Sequence, residues 1–252
     1  MKQRILTAIV LFAVVMGVLF FDPSGLGKKL LLLACMGAVS WELGGLTRTS
    51  GPVSLVIGLL GLFAVSLPYQ PIYGLLGLAY GVTLLITGAR WNSESTSILA
   101  VPGFVASTGA AMWQLTLSTV AFPAILIAAV PIWAGDTAAI FAGKAFGKHK
   151  LAPTISPNKT WEGSIANLLA AVGAAAALGY FLKYPMDKML LLGVSCGVIG
   201  QLGDLFESYL KRQAGVKDSG NLLPGHGGVF DRLDSLLMTA PFSYWILSSF
   251  LK

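Results

Sequence analysis

Apolar residues in this chain do not alternate with polar ones but form continuous runs, each ended by a charged or Pro/Gly-rich stretch. Runs of this kind suit helices of about 20 residues, the length that crosses a hydrocarbon core of roughly 30 Å. A transmembrane β-barrel would show short alternating segments instead. Breaking the chain at its polar stretches predicts about nine spans, at 4–21, 29–46, 52–68, 71–88, 97–118, 120–143, 161–183, 188–210 and 230–250. The weakest break lies at 117–122, between the fifth and sixth. The expected fold is an all-α integral membrane protein.

Composition strengthens that expectation. Of the 252 residues, 55% are hydrophobic and 11% are charged, against roughly 25% charged in an ordinary soluble domain. Too few polar side chains exist to cover a water-facing surface, which excludes a soluble globular enzyme. The first apolar run follows Met1-Lys2-Gln3-Arg4 as a signal peptide would. It leads into Phe20-Phe21-Asp22-Pro23, which offers no small-residue cleavage site, so it reads as a retained span. Cys35 and Cys196 lie inside apolar runs without metal-ligand spacing and read as packing residues.

The net charge of +6 reflects basic loops of a membrane protein rather than a nucleic-acid surface. On nine spans, twelve of the 17 basic residues fall on one side and five on the other. The positive-inside rule then puts the N-terminus in the cytoplasm. The loops at 144–160 and 211–229, together with Arg232, carry this bias. Both loops fall on the same, cytoplasmic side. Residues 1–118 are expected to form a transmembrane scaffold, and residues 119–252 a catalytic region with a polar cavity at the cytoplasmic side.

The densest chemistry lies at 203–234, GDLFESYLKRQAGVKDSGNLLPGHGGVFDRLD. Asp204, Ser208 and Lys211 recur at i, i+4 and i+7 and share one helix face, with Glu207 on the adjacent stripe. Carboxylates within an apolar span normally face a polar cavity, a metal or a partner charge. A loop with Gly215, Gly220, Gly225, Gly227 and Gly228 follows, of a kind that lets backbone N–H groups approach phosphate oxygens. Asp231 and Asp234 open the last span on one face. Carboxylates on two helices beside such a loop suit Mg²⁺ held against phosphates, and Lys211, Arg212, Lys217 and Arg232 supply charge for a triphosphate. Taken singly, Asp231 is equally an N-terminal helix charge, and Lys211 with Arg212 are topology anchors.

The stretch SYLKRQAGVKDSGNLLPGHGGVFDRLD, residues 208–234, resembles the signature of the phosphatidate cytidylyltransferases (CDP-diacylglycerol synthases). A second block is similar to the family's other cytoplasmic region: Trp133-Ala-Gly-Asp136-Thr137, Gly143 to Pro153, and Ser156-Pro157-Asn158-Lys159-Thr160-Trp161-Glu162-Gly163. The two blocks cover about the last 120 residues. The resemblance implies a metal-dependent, homodimeric enzyme of the inner membrane. It would make CDP-diacylglycerol and pyrophosphate from CTP and phosphatidic acid, with its site facing the cytoplasm.

Read with that resemblance, Asp204, Lys211, Arg212 and Asp231 are the expected catalytic residues, and Asp204, Asp231 and Asp234 the metal ligands. The cation is Mg²⁺, alone or with a second ion. Asp136, Ser156, Lys159, Thr160, Ser208, Lys217, His226, Gly227 and Arg232 are the expected substrate contacts. Asp136 is expected at the end of the sixth span. The 156–160 segment reads as a turn entering the seventh helix, a phosphate site at a helix N-terminus or an ordinary cap by Ser156 or Thr160. His149 reads as a loop residue. Rival readings are a transporter or channel using Asp204 and Glu207, and a CTP-using enzyme of another lipid phosphate.

Overall fold

The computed structural model describes residues 2–22, 24–47, 53–56, 58, 75, 77–83, 85–86, 94–118, 122–225 and 227–251. Helix is the dominant element: α1 (Lys2–Phe21), α2 (Leu26–Leu46), α3 (Glu94–Leu117), α4 (Ala124–Phe146), α5 (Trp161–Leu182), α6 (Met186–Gln213) and α7 (Phe230–Leu247). Four of them, α2, α4, α5 and α6, are long and apolar enough to cross a membrane. The expected spans at 52–68 and 71–88 lie mostly outside the described residues, although 53–56 and 77–83 are helical. The spans expected at the remaining positions coincide with helices whose ends differ by a few residues.

Two compact units make up the chain, one of residues 1–118 with 210–233 and the other of 119–209 with 234–252. In the first, α2 sets Met36, Val39 and Leu43 into a core with no solvent exposure, and Phe104 of α3 stacks edge-on to Phe230 at 6.2 Å. The α1–α2 turn is closed by Asp22, which accepts from the Ser24 hydroxyl at 2.7 Å and the Lys28 amide at 3.0 Å. These bonds hold its carboxyl below the usual carboxylate range.

In the second unit, glycines let helices approach closely, the usual device where apolar surroundings give helices no reason to associate. A Cβ on Gly193 would meet the Val172 backbone at 2.6 Å, and one on Gly197 the Leu168 backbone at 2.9 Å, which locks α6 against α5. A Cβ on Gly203 would meet the Asp234 carbonyl at 2.9 Å, so α6 lies just as close to α7 there. The outer faces carry large apolar side chains, Leu169, Tyr180 and Phe181 of α5 among them, at 68–77% exposure. That is the surface a lipid-facing helix presents.

Two expectations are corrected. Residues 156–160 are not a turn but strand β2 (Ser156–Thr160), paired antiparallel with β1 (Lys150–Ala152). Asp136 does not end its span, because α4 continues past it to Phe146.

Candidate active site

The unit of residues 119–209 and 234–252 contains a cluster of three carboxylates, Asp204, Glu207 and Asp234, with one oxygen of each lying within 4.8 Å of the others. Asp204 and Glu207 stand one turn apart on α6, and Asp234 comes from α7. Glu207 is 1% exposed. Lys159, at the end of β2, reaches Asp204 Oδ2 at 2.7 Å. Ser208 donates to Asp204 Oδ1 at 3.4 Å. Three carboxylates so close repel one another, and one ammonium offsets only part of that charge. Hard oxygen donors in this number suit a divalent cation such as Mg²⁺.

Neighbouring polar side chains continue the arrangement. Asp136 accepts from Asn167 Nδ2 at 3.1 Å, tying α4 to α5. Ser164 of α5 donates to Gln201 of α6. Thr160 is 5% exposed and caps α5, its hydroxyl accepting from the Gly163 amide at 3.2 Å. The capping reading therefore holds for Thr160. His149 is a loop residue, just before β1, and its Nδ1 lies 2.7 Å from Glu162 Oε1.

The unit of residues 1–118 and 210–233 holds the glycine-rich loop, and its carboxylates are deeply engaged. Asp231 Oδ1 pairs with Lys211 Nζ at 2.7 Å, with side-chain exposures of 7% and 12%. Asp231 Oδ2 accepts from the Ser219 amide at 2.9 Å and the Gly228 amide at 2.8 Å. Glu42 of α2, 5% exposed, accepts from the Val229 amide at 2.9 Å on Oε1 and the Phe230 amide at 2.8 Å on Oε2. The Ser219 hydroxyl lies between the two acids, 2.9 Å from Glu42 Oε2 and 3.0 Å from Asp231 Oδ2.

Four amides here, those of Ser219, Gly228, Val229 and Phe230, point at the protein's own carboxylates. Gly227 takes a left-handed φ of 82°, and a Cβ there would meet Asp231 Oδ2 at 2.8 Å. Arg212 donates to the Val216 carbonyl at 3.0 Å, and Lys217 and Arg232 are exposed. Ser156 is half-buried on β2. His226 lies outside the described residues.

Of the expected site, the structure brings Asp204, Asp234, Ser208 and Lys159 together in one unit, and Lys211 and Asp231 together in the other. It adds two acids. Glu207 was legible as i+3 from Asp204. Glu42 carried no signal beyond being an acid in an apolar run. Next to Glu42 lies a groove of about 590 Å³, floored by Ala34, Gly37, Ala38 and Trp41 of α2 and edged by the loop residues Ser219 and Leu222.

The cytidylyltransferase family model matches residues 2–250. A phosphatidate cytidylyltransferase of Bacillus subtilis is 36% identical over 274 residues, spanning 99% of this chain and 98% of its own length. One of Pseudomonas aeruginosa is 36% identical over 264 residues, spanning 96% and 94%. One of Staphylococcus aureus is 50% identical over 119 residues, 46% of each chain.

Proposed function

The chain belongs to the cytidylyltransferase family, and we propose that it is a phosphatidate cytidylyltransferase, transferring CMP from CTP to phosphatidic acid. The observation that carries this reading is the Asp204–Glu207–Asp234 cluster with Lys159 against it. Asp204 and Glu207 stand on α6, a helix apolar enough to cross a membrane. A polar, phosphate-compatible centre set into a lipid-exposed helix suits an enzyme that joins a water-soluble nucleotide to a lipid.

In the reaction, a phosphate oxygen of phosphatidic acid bonds to the α-phosphorus of CTP, and the bond from that phosphorus to the β-phosphate oxygen breaks. Pyrophosphate leaves with the electron pair, and CDP-diacylglycerol remains. The attacking oxygen is already anionic, so no general base is needed. Catalysis then rests on positioning and charge neutralisation.

Asp204, Glu207 and Asp234 would hold Mg²⁺, with a second cation as the alternative to one. The ion would supply charge neutralisation between two anionic substrates. Asp231 has both oxygens on protein donors, so ligating metal would require it to release Lys211 or the loop. We therefore assign it the positioning of Lys211. Lys159, Lys211 and Arg212 offset charge on the departing pyrophosphate, while Lys217, Arg232, His226 and Gly227 contact substrate phosphates. Ser208 and Asp136 order polar groups around the site, and Ser156 belongs to the hairpin that carries Lys159. The groove along α2 takes an acyl chain of the lipid substrate. A homodimer in the inner membrane, with nine spans, a cytoplasmic N-terminus and both motif loops facing the cytoplasm, completes the reading.

The test is direct. Purified protein is incubated with α-labelled CTP, Mg²⁺ and phosphatidic acid, and the lipid extract is resolved. Labelled CDP-diacylglycerol with stoichiometric pyrophosphate is expected. Label in no lipid, or faster transfer to another lipid phosphate, would overturn the assignment.

A further inference from the structure

We infer that Glu42, in the N-terminal half, is a positioning residue for nucleotidyl transfer, the point at which the signature loop is fastened to α2. The inference rests on the function proposed above. Glu42 sits on a helix whose other residues are almost wholly apolar, and it is 5% exposed. An acid in such a place is costly unless donors surround it. Here three converge: the Val229 and Phe230 amides and the Ser219 hydroxyl.

Two of those donors, the amide of Phe230, first residue of α7, and that of Val229 just before it, lie at the positive end of that helix, where a carboxylate is favoured. The third, Ser219, bridges to Asp231, which in turn holds Lys211. Glu42 therefore reaches a phosphate-binding lysine through a short chain: Glu42, Ser219, Asp231, Lys211. The loop glycines fit around it. A Cβ on Gly220 would lie 2.7 Å from Glu42 Oε1, and one on Gly228 would collide with both Glu42 and Ser219. The residues that look like a nucleotide loop are, at these positions, moulded to an acid from α2.

Glu42→Gln tests this with little change of volume. A carboxamide has one acceptor oxygen, so its NH₂ group must face one of the amides that Glu42 now receives. The loop end should shift, and displacements near 1 Å can cost about 10²-fold in rate. The expected result is a fall in kcat of about that size with KM for CTP changed by less than about threefold, the mark of a lost transition-state contact. Ser219→Ala should cost less, and the double variant no more than Glu42→Gln alone, because both act on one chain.

Gly220→Ala is the second arm, in case Glu42→Gln yields no folded protein. It presses on the Glu42 carboxylate without altering a charge and should reproduce the loss. Amide exchange over residues 219–230, followed by mass spectrometry, should quicken in both variants. Parental kcat, effects of Glu42→Gln and Ser219→Ala that add in full, or parental exchange over 219–230 overturns the inference whatever the parent does with CTP. A parent that forms no CDP-lipid instead overturns the functional reading, and exchange still decides the fastening role.

Discussion

Replacing Lys159 by Gln separates a structural ion pair from a transition-state contact. Its ammonium lies 2.7 Å from Asp204 Oδ2, and the two side chains are 25% and 37% exposed. Partly solvated pairs of this kind are worth about 0–1 kcal/mol. Losing one should lower the melting temperature by no more than about 2–4 °C in a chain of this size. If Lys159 also neutralises charge on the leaving pyrophosphate, its removal costs roughly 2.7–4 kcal/mol of barrier, about 10²–10³ in rate. The two magnitudes do not overlap. Measuring kcat and melting temperature on the same preparation in detergent reads both. Lys159→Arg should keep more activity than Lys159→Gln, because the charge persists on a longer, planar head. Binding of phosphatidic acid alone should change far less than turnover. A Lys159→Gln enzyme that turns over within a few-fold of the parent would show that Lys159 only tethers the hairpin to α6.

The carboxylate cluster predicts that Asp204→Asn and Glu207→Gln each abolish Mg²⁺-dependent turnover and weaken Mn²⁺ binding, read by electron paramagnetic resonance, at least about tenfold; parental binding would remove that residue from the ligand set. With Cys35 and Cys196 replaced, cysteines introduced at Ala152 and Asn221 should both be labelled from the cytoplasmic face, and labelling on opposite faces would refute the shared orientation of the motif loops. Ala38→Phe should fill the groove along α2 and raise KM for phosphatidic acid severalfold while leaving KM for CTP unchanged. Equal effects on both substrates would place the acyl chain elsewhere.

Continuous apolar runs made the helices readable. Periodicity and length placed α2 and α4 to α7 within a few residues, because a lipid-exposed helix must be apolar over its length whatever it packs against. Pairing between segments was not readable. Ser156–Thr160 contains a proline and an asparagine and looked like a turn. It is held as a strand by β1, and the β1–β2 pairing is a tertiary fact that a five-residue window cannot show. Asp136 looked like the end of its span because a carboxylate usually marks an interface. In α4 it lies within the helix, and Asn167, 31 residues later, donates to it.

The glycine-rich loop shows how a motif can be recognised while only part of its physics is legible. Closely spaced glycines do signal backbone amides turned toward negative charge, and that inference survives. Sequence spacing cannot say whose charge it is. The Ser219 and Gly228 amides answer to Asp231, which lies 12 and 3 residues away and was within view of the motif. The Val229 and Phe230 amides answer to Glu42, 187 and 188 residues earlier, in a half of the chain that read as scaffold. Amides already bonded to carboxylates at 2.8–2.9 Å have little left for a phosphate. On the function proposed above, substrate contact in this half of the signature falls to groups other than those four amides, with the loop fixing where Lys211 points. On this account Gly220, Gly227 and Gly228 are required by the packing of two acids, so Gly220→Ala should impair catalysis even though it touches no substrate.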